Sequence, residues 1–182
     1  QQYHPTPITT QGTSAHPGHQ GTPINAGVAV GAALALMEDA WWGPSVIGPS
    51  GAAQFLLAER SLPHGFIVDS SGQRFMNESE SYVDAGHEQY ARNEKVSAIP
   101  AYLIIDSRHR RWYPFGMALP GMTPKKLIES GFFTKADTLE ELAGKIGVDA
   151  EGLHRTVARF AGFARKGGAE DFHRGARAYA GC

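Results

Sequence analysis

The chain is poor in cysteine, in charge of one sign and in long apolar runs. Its single cysteine, Cys182, is the last residue, which excludes an internal disulfide and favours a reducing compartment, the cytoplasm. Lysine plus arginine (17) nearly balance aspartate plus glutamate (18), so the charge does not indicate nucleic acid or an anionic membrane as a partner. No run of about 18 consecutive apolar residues occurs, and the sequence therefore predicts no transmembrane helix.

Common nucleotide-binding and hydrolase motifs are also missing. The sequence contains no G-x-G-x-x-G, no P-loop and no G-x-S-x-G elbow, so it carries no nucleotide-binding fingerprint of its own. At 182 residues the chain is long enough for one domain with a hydrophobic core. It begins at Gln1 without an initiator methionine or a leader-like segment, and we expect it to be a piece of a longer chain.

The stretch over residues 65–82 carries the most information. Two short apolar runs, residues 66–68 and 74–76, flank Asp69-Ser-Ser-Gly72, whose composition is typical of a tight turn. The glycine that ends this turn suits a position with positive φ. The stretch therefore predicts a β-hairpin that holds the polar residues after it, as far as Tyr82, beside a ligand.

The remaining pattern predicts an α+β fold with a small mixed or antiparallel sheet. Thr22 and Pro23 signal the start of a helix whose apolar face runs from Ile24 to Leu36. Glycines four residues apart on this helix permit close approach of another backbone, so we expect it to pack inside a larger structure. Residues 53–60 fit either a strand or a short helix. The later predictions are strands over 101–106 and 132–135, and helices over 107–112, 123–130, 137–146 and 149–166.

Three candidate sites have ordinary structural explanations. His4, His16 and His19 lie in one loop and could ligate a metal, but without cysteines or carboxylates beside them we expect solvated histidines and no metal site. The segment Asp171–Arg174 is more typical of a salt-bridge cluster in a loop than of an active site. Tyr82 taken alone is typical of a half-buried structural tyrosine.

Several segments form a recognisable family pattern, and in chain order they are Ala35–Pro44, Glu59–Pro63, Arg74–Ser79 with Tyr82-Val83, Lys135–Leu142, Arg159–Ala164 and Asp171–Gly175. Together they resemble the 3-ketosteroid Δ1-dehydrogenases, a group within the fumarate reductase–succinate dehydrogenase flavoprotein superfamily. The resemblance covers nearly the whole chain. The string Met-Glu-Asp-Ala-Trp-Trp-Gly-Pro is its most specific part.

This resemblance implies a domain division and a cofactor. Residues 1–43 are expected to be the last part of a first FAD-domain segment, and residues 44–182 most of an inserted catalytic domain. The helix that begins near Thr22 then belongs to an incomplete FAD domain. FAD is expected to be bound mainly by segments absent from this chain, and the chain to pack against its own FAD domain in the full-length protein.

The resemblance also implies an activity, the 1,2-dehydrogenation of 3-ketosteroids. Tyr82 matches the catalytic tyrosine of the family, which takes a proton from C2 of the substrate while a hydride leaves C1 for the flavin. The phenol of a tyrosine has an ordinary pKa of about 10, so such a base needs a neighbouring donor or relay. In the family that help comes from the FAD domain, and we expect the isolated chain to be inactive.

Two further groups of residues are expected at the site. Three polar residues are expected to support the hairpin or to contact FAD: Arg74, Asn77 and Glu78. Three apolar residues are expected to form the wall of a steroid pocket: Phe55, Phe115 and Met117. A related flavin-dependent ene-reductase, a Δ4-type steroid dehydrogenase and a non-catalytic substrate-binding fragment remain as alternatives. A tyrosine where fumarate reductases carry arginine argues against dicarboxylate substrates.

Overall fold

Short helices and short strands alternate along the chain in the computed structural model, which describes residues 5–175. The strands are β1 (Ser45–Ile47), β2 (Ala53–Phe55), β3 (Gly65–Val68) and β4 (Tyr102–Ile105). The helices are a 3-10 turn at Thr10–Gly12, α1 (Thr22–Ala29), α2 (Tyr82–Asn93), α3 (Ser107–Trp112), α4 (Lys125–Glu129), α5 (Leu139–Ile146) and α6 (Ala150–Lys166). Helices with small antiparallel sheets confirm the predicted α+β class. His4 and Cys182 lie outside the described residues.

The central sheet pairs β3 with β4 in antiparallel register, from Gly65 opposite Ile105 to Val68 opposite Tyr102. All four residues of β3 are buried, as expected for a short apolar run. The predicted hairpin is only partly right, because β3 meets its expected partner at a single bridge, Val68 to Arg74. Beyond this bridge the second run does not pair with β3, and the side chain of Arg74 pairs with Glu78 and Asp171 inside the protein.

The turn after β3 is the junction between the sheet and the last helix. Gly72 adopts a φ of 73°, as the turn composition predicts. The carbonyl of Ser70 accepts from the backbone of Asp149 (2.9 Å), and that of Gly72 accepts from the hydroxyl of Thr156 (2.6 Å). The main core joins this sheet to α5 and α6, and its buried members are Phe66, Val68, Ala143, Val148 and Leu153.

Several predicted helix boundaries are confirmed. Asp106 caps α3 by accepting from two backbone amides, and Asp149 caps α6 by accepting from the amide of Gly152 (2.6 Å). The cap of α5 lies one residue later than predicted, at Thr138, whose hydroxyl accepts from the amide of Glu141 (3.1 Å). Gly147 ends that helix in the left-handed conformation.

Other predictions are wrong. The strand over 132–135 does not form, because its two phenylalanines pack in an aromatic cluster instead. Helix α1 stops at Ala29 because Gly31, with a φ of 90°, leaves the helical region. The ambiguous stretch over 53–60 contains β2, which pairs with β1. The sequence pattern does not predict helix α2 at all.

Candidate active site

A buried ion-pair network lies beneath the segment that leads to Tyr82. The guanidinium of Arg74 donates to Glu78 twice, from Nε to Oε1 (2.8 Å) and from Nη2 to Oε2 (2.7 Å). Glu78 is fully buried, and its Oε1 also accepts from the backbone of Ile67 in β3 (3.0 Å). Burial alone would lower the pKa of Arg74, but the carboxylates of Glu78 and Asp171 outweigh it and raise that pKa. The network therefore ties this segment to the sheet.

The segment near the end of the described chain completes the network. Asp171 accepts from Arg74 Nη1 at 2.8 Å, and Arg174 Nη1 lies 3.1 Å from Glu78 Oε2. Arg174 also donates to the carbonyl of Gly65 (2.7 Å) and to two carbonyls just before β3. Burial lowers the pKa of Arg174. These contacts confirm the predicted salt-bridge cluster at Asp171–Arg174.

A second fully enclosed arginine, Arg60, connects the end of β2 with the start of α2. Its guanidinium donates to the carbonyls of Leu56 (3.2 Å) and Glu80 (2.7 Å), and to that of Glu78. Leu56 directly follows β2, and Glu80 lies two residues before Tyr82. Because one rigid cation binds carbonyls from both segments, it holds them at a set spacing. The sequence pattern does not reveal this role of Arg60, because two of the carbonyls that its side chain binds lie 18 and 20 residues further along the chain.

Tyr82 is the first residue of α2 and is half-buried. Its ring meets that of Phe55, the last residue of β2, edge to face, with centroids 5.4 Å apart and an angle of 77° between the planes. The hairpin prediction places Tyr82 at the end of a ribbon, whereas the structure places it at a helix start. An acidic residue in the first turn, Asp84, is the available helix signal. Gly86 weakens that signal because glycine disfavours helix interiors.

The three residues predicted to support the hairpin or contact FAD are Arg74, Asn77 and Glu78. All three are buried. The amide oxygen of Asn77 accepts from the backbone of Ser79 (3.0 Å), and the other two side chains pair with each other. These contacts stabilise the segment that precedes Tyr82. Contact of the three residues with FAD stays a prediction.

An open cleft of about 510 Å³ runs beside the helix that carries Tyr82. Tyr82, Gly86 and Tyr90 share one face of α2 by their spacing of four residues, and the latter two line the cleft. Phe55 lines the cleft and also contacts the ring of Tyr82, so Tyr82 is one side chain away from the cleft. The described lining carries no charged side chain, and the volume falls within the usual range for small-molecule sites.

The predicted pocket wall is only partly brought together. Phe55 faces the cleft, but Phe115 is buried in the aromatic cluster with Phe133, at a centroid distance of 5.2 Å. Met117 is 97% exposed on the loop that follows. This loop abuts β2, because a Cβ on Gly116 would lie 2.4 Å from Nε2 of Gln54. For Phe115 and Met117, the role of pocket wall stays a prediction.

Two of the three histidines considered as metal ligands, His16 and His19, lie among the described residues. His16 and His19 are exposed, with ring centroids 5.9 Å apart. Within residues 5–175, no group of three or more His, Cys, Asp or Glu side chains could hold a metal ion.

Comparison with known proteins decides the family. Residues 1–179 match the family model described as the FAD binding domain. The chain belongs to this FAD binding family. It is 48% identical over 183 aligned residues to a 3-oxosteroid 1-dehydrogenase of Mycolicibacterium smegmatis, and 46% identical to the enzyme of that name from Mycobacterium tuberculosis. Each alignment covers 97% of this chain and 32% of the relative, so the chain spans about a third of their length.

A solved structure agrees with this assignment of the FAD binding family. The crystal structure of 3-ketosteroid Δ1-dehydrogenase from Sterolibacterium denitrificans, in complex with 1,4-androstadiene-3,17-dione, superimposes with a TM-score of 0.89 at 36% identity. The match covers 98% of this chain and 33% of that one. The resemblance inferred from the sequence pattern is therefore confirmed, and FAD is the cofactor of the family.

The lining of the cleft is partly aromatic, and contact of Arg74, Asn77 and Glu78 with FAD stays a prediction. The sequence has no glycine-rich phosphate motif. The described part of this chain thus carries no such motif for the phosphates of FAD. Within it, no helix is both long enough and apolar enough to cross a bilayer.

Proposed function

We propose that this chain is the substrate-binding and proton-transfer part of an FAD-dependent enzyme that introduces a C1–C2 double bond into 3-ketosteroids. The observation that carries this proposal is the position of Tyr82, half-buried at a helix start beside an uncharged, aromatic cleft. The similarity to 3-oxosteroid 1-dehydrogenases supports it. An uncharged cleft suits a neutral ring system and offers no cationic clamp for a dicarboxylate.

Tyr82 is the base in this proposal. The C3 carbonyl of the substrate acidifies the neighbouring C2–H bond, and the phenolate oxygen takes that proton. The C2–H electron pair becomes the second bond between C1 and C2, while the C1–H bond leaves as hydride. Accepting that hydride is the chemistry that FAD supplies when bound. Arg60, Arg74 and Glu78 fix the position of Tyr82, because their contacts hold the backbone segment that leads into α2.

The domain division is part of the same proposal. Residues 1–43 form the end of an FAD-domain segment, and residues 44–182 form most of the catalytic domain. The exposed apolar side chains of Val30 (86%), Leu36 (74%) and Trp41 (90%) support this division, because such surface is normally covered. The covering partner is the FAD domain of the same protein, and the protein works in the cytoplasm.

The proposal is tested by replacing Tyr82 with Phe in the full-length protein that contains this chain. We expect kcat for 4-androstene-3,17-dione to fall by about 10³-fold, with a smaller change in KM, because the proton acceptor is lost and the ring remains. The measurement is formation of the Δ1 product with a dye as electron acceptor.

Tyr102→Phe is the matched control, since Tyr102 lies on β4 and packs on the main core. It should leave kcat near that of the wild type. Wild-type turnover by Tyr82→Phe would refute the assignment of the base. With a 3-ketosteroid that is saturated at C4–C5 as substrate, a Δ4 product would favour a Δ4-type dehydrogenase; with a reduced electron donor in place of the dye, saturation of a ring double bond would favour an ene-reductase.

A further inference from the structure

The segment over residues 39–43 lies directly on the helix that begins with Tyr82. A Cβ built on Gly86 would lie 2.3 Å from Cβ of Trp42 and 3.4 Å from its Cα, so only glycine admits this backbone so closely. One turn further along the same helix, the ring of Tyr90 meets that of Trp42 at a centroid distance of 4.9 Å. Trp42 is therefore seated in a notch of α2.

Asp39 holds Trp42 in that notch and contacts the helix itself. Its Oδ1 accepts from the indole Nε1 of Trp42 (2.9 Å) and from the backbone of Ala40 (2.8 Å). The same oxygen lies 2.8 Å from Nε2 of His87 on α2. The hydrogen bond with His87 lowers the pKa of Asp39. The segment thus meets the helix through one apolar seat and one polar contact.

The same segment also touches the other half of the candidate site. A Cβ on Gly43 would lie 1.7 Å from Cε2 of Phe55, so the Phe55 ring rests against this backbone. Phe55 in turn meets Tyr82 edge to face. Residues 39–43 therefore contact the helix one turn after Tyr82 and the ring that packs against Tyr82.

We propose that residues 39–43 are a positioning clamp for Tyr82, with Trp42 and Asp39 as its positioning residues. The clamp limits rotation and sliding of α2 and so sets where the phenol oxygen meets the substrate. Displacement of a catalytic group by about 1 Å can cost about 10²-fold in rate. This inference rests on the proposed role of Tyr82 as the base.

The test replaces Gly86 with Ala in the full-length protein. The added methyl must push Trp42 and α2 apart, and we expect kcat for 4-androstene-3,17-dione to fall by about 10- to 100-fold. We expect KM to rise as well, because Gly86 and Trp42 both line the cleft, so kcat and the isotope effect below carry the test. The deuterium isotope effect on kcat with C2-deuterated substrate should increase, since proton transfer to a displaced base becomes slower relative to other steps.

Gly144→Ala is the matched control, because Gly144 lies inside α5 with no atom within 4 Å of the added methyl. It should keep the wild-type kcat and isotope effect. Asp39→Asn is the second variant, chosen because the exposed Asp39 side chain does not endanger folding. It should lower kcat and raise the C2 isotope effect less than Gly86→Ala does.

The clamp is refuted if folded Gly86→Ala and Asp39→Asn both match Gly144→Ala in kcat and isotope effect. If Gly86→Ala does not fold, Asp39→Asn alone decides between the two results. Loss of turnover in Tyr82→Phe with normal Gly86→Ala would overturn the clamp and leave the proposed function standing. Wild-type turnover by Tyr82→Phe would overturn both.

Discussion

At the scale of single residues, Glu78 is the centre of the support beneath Tyr82. One fully buried carboxylate meets the guanidinium groups of Arg74 and Arg174 and the backbone amide of Ile67. A buried charge is costly unless its partners replace water, and here three donors do so. Removal of this charge would leave Arg74 paired with Asp171 alone, and Arg174 with its backbone carbonyls.

Glu78→Gln should destabilise the protein by about 3 kcal/mol, because breaking a buried ion pair leaves an uncompensated charge. Thermal unfolding of the full-length protein measures the loss. Glu170→Gln is the control, since Glu170 pairs with Lys166 on the surface, and it should not change stability measurably. A shift in the flavin absorbance band without loss of stability would instead indicate that Glu78 contacts the cofactor.

At the scale of elements, the turn after β3 connects the sheet with both α2 and α6. Asp69 Oδ1 accepts from the backbone of Ser71 (2.8 Å), while its Oδ2 accepts from Nε of Arg92 in α2 (2.7 Å). Gly72 faces the start of α6, where a Cβ would lie 2.3 Å from the backbone nitrogen of Leu153. The turn therefore depends on glycine for its positive φ and for its close contact with a backbone.

Gly72→Ala should destabilise the protein by about 2–4 kcal/mol, through strain at positive φ and a clash that only backbone movement relieves. Gly131→Ala is the control, because Gly131 has a φ of 77° but open space around it, so that only the conformational cost of about 1 kcal/mol applies. Chemical unfolding of the two variants distinguishes them. Equal losses of unfolding free energy in the two variants would show that the close contact of Gly72 with α6 does not contribute to stability.

At the scale of the whole molecule, the described chain exposes much apolar surface. Trp41, Met117, Leu119 and Met122 are among the exposed large apolar side chains. The chain also spans only about a third of the length of its relatives. Apolar surface of this kind is normally an interface.

The isolated 182-residue chain should therefore show no turnover of 4-androstene-3,17-dione with a dye acceptor, while the full-length protein does. The physical reason is that the hydride acceptor and the donors that assist Tyr82 are expected in other segments. Product analysis by chromatography measures both proteins under the same conditions. Δ1 product from the isolated chain would contradict this prediction.

Local signals in the sequence determined the start and end of α3 and α6, the end of α5, the strand at β4 and the turn at Gly72. Caps such as Asp106 and Asp149, and glycines at positive φ, act through neighbours within a few residues, so spacing alone reveals them. The family pattern likewise indicates the flavoprotein relationship through the identity and order of its residues. The chemistry of Tyr82 follows from that pattern and not from the local physics of the residue.

Only the tertiary structure decided which strand pairs with β3, where α2 begins and what supports Tyr82. β3 pairs with β4, more than thirty residues away along the chain, whereas the run after Gly72 meets β3 at a single bridge. Arg60, Trp42 and Gly86 act through contacts between segments far apart in sequence. Local preference determines where elements begin and end, whereas the burial of charge and close packing determine how they meet.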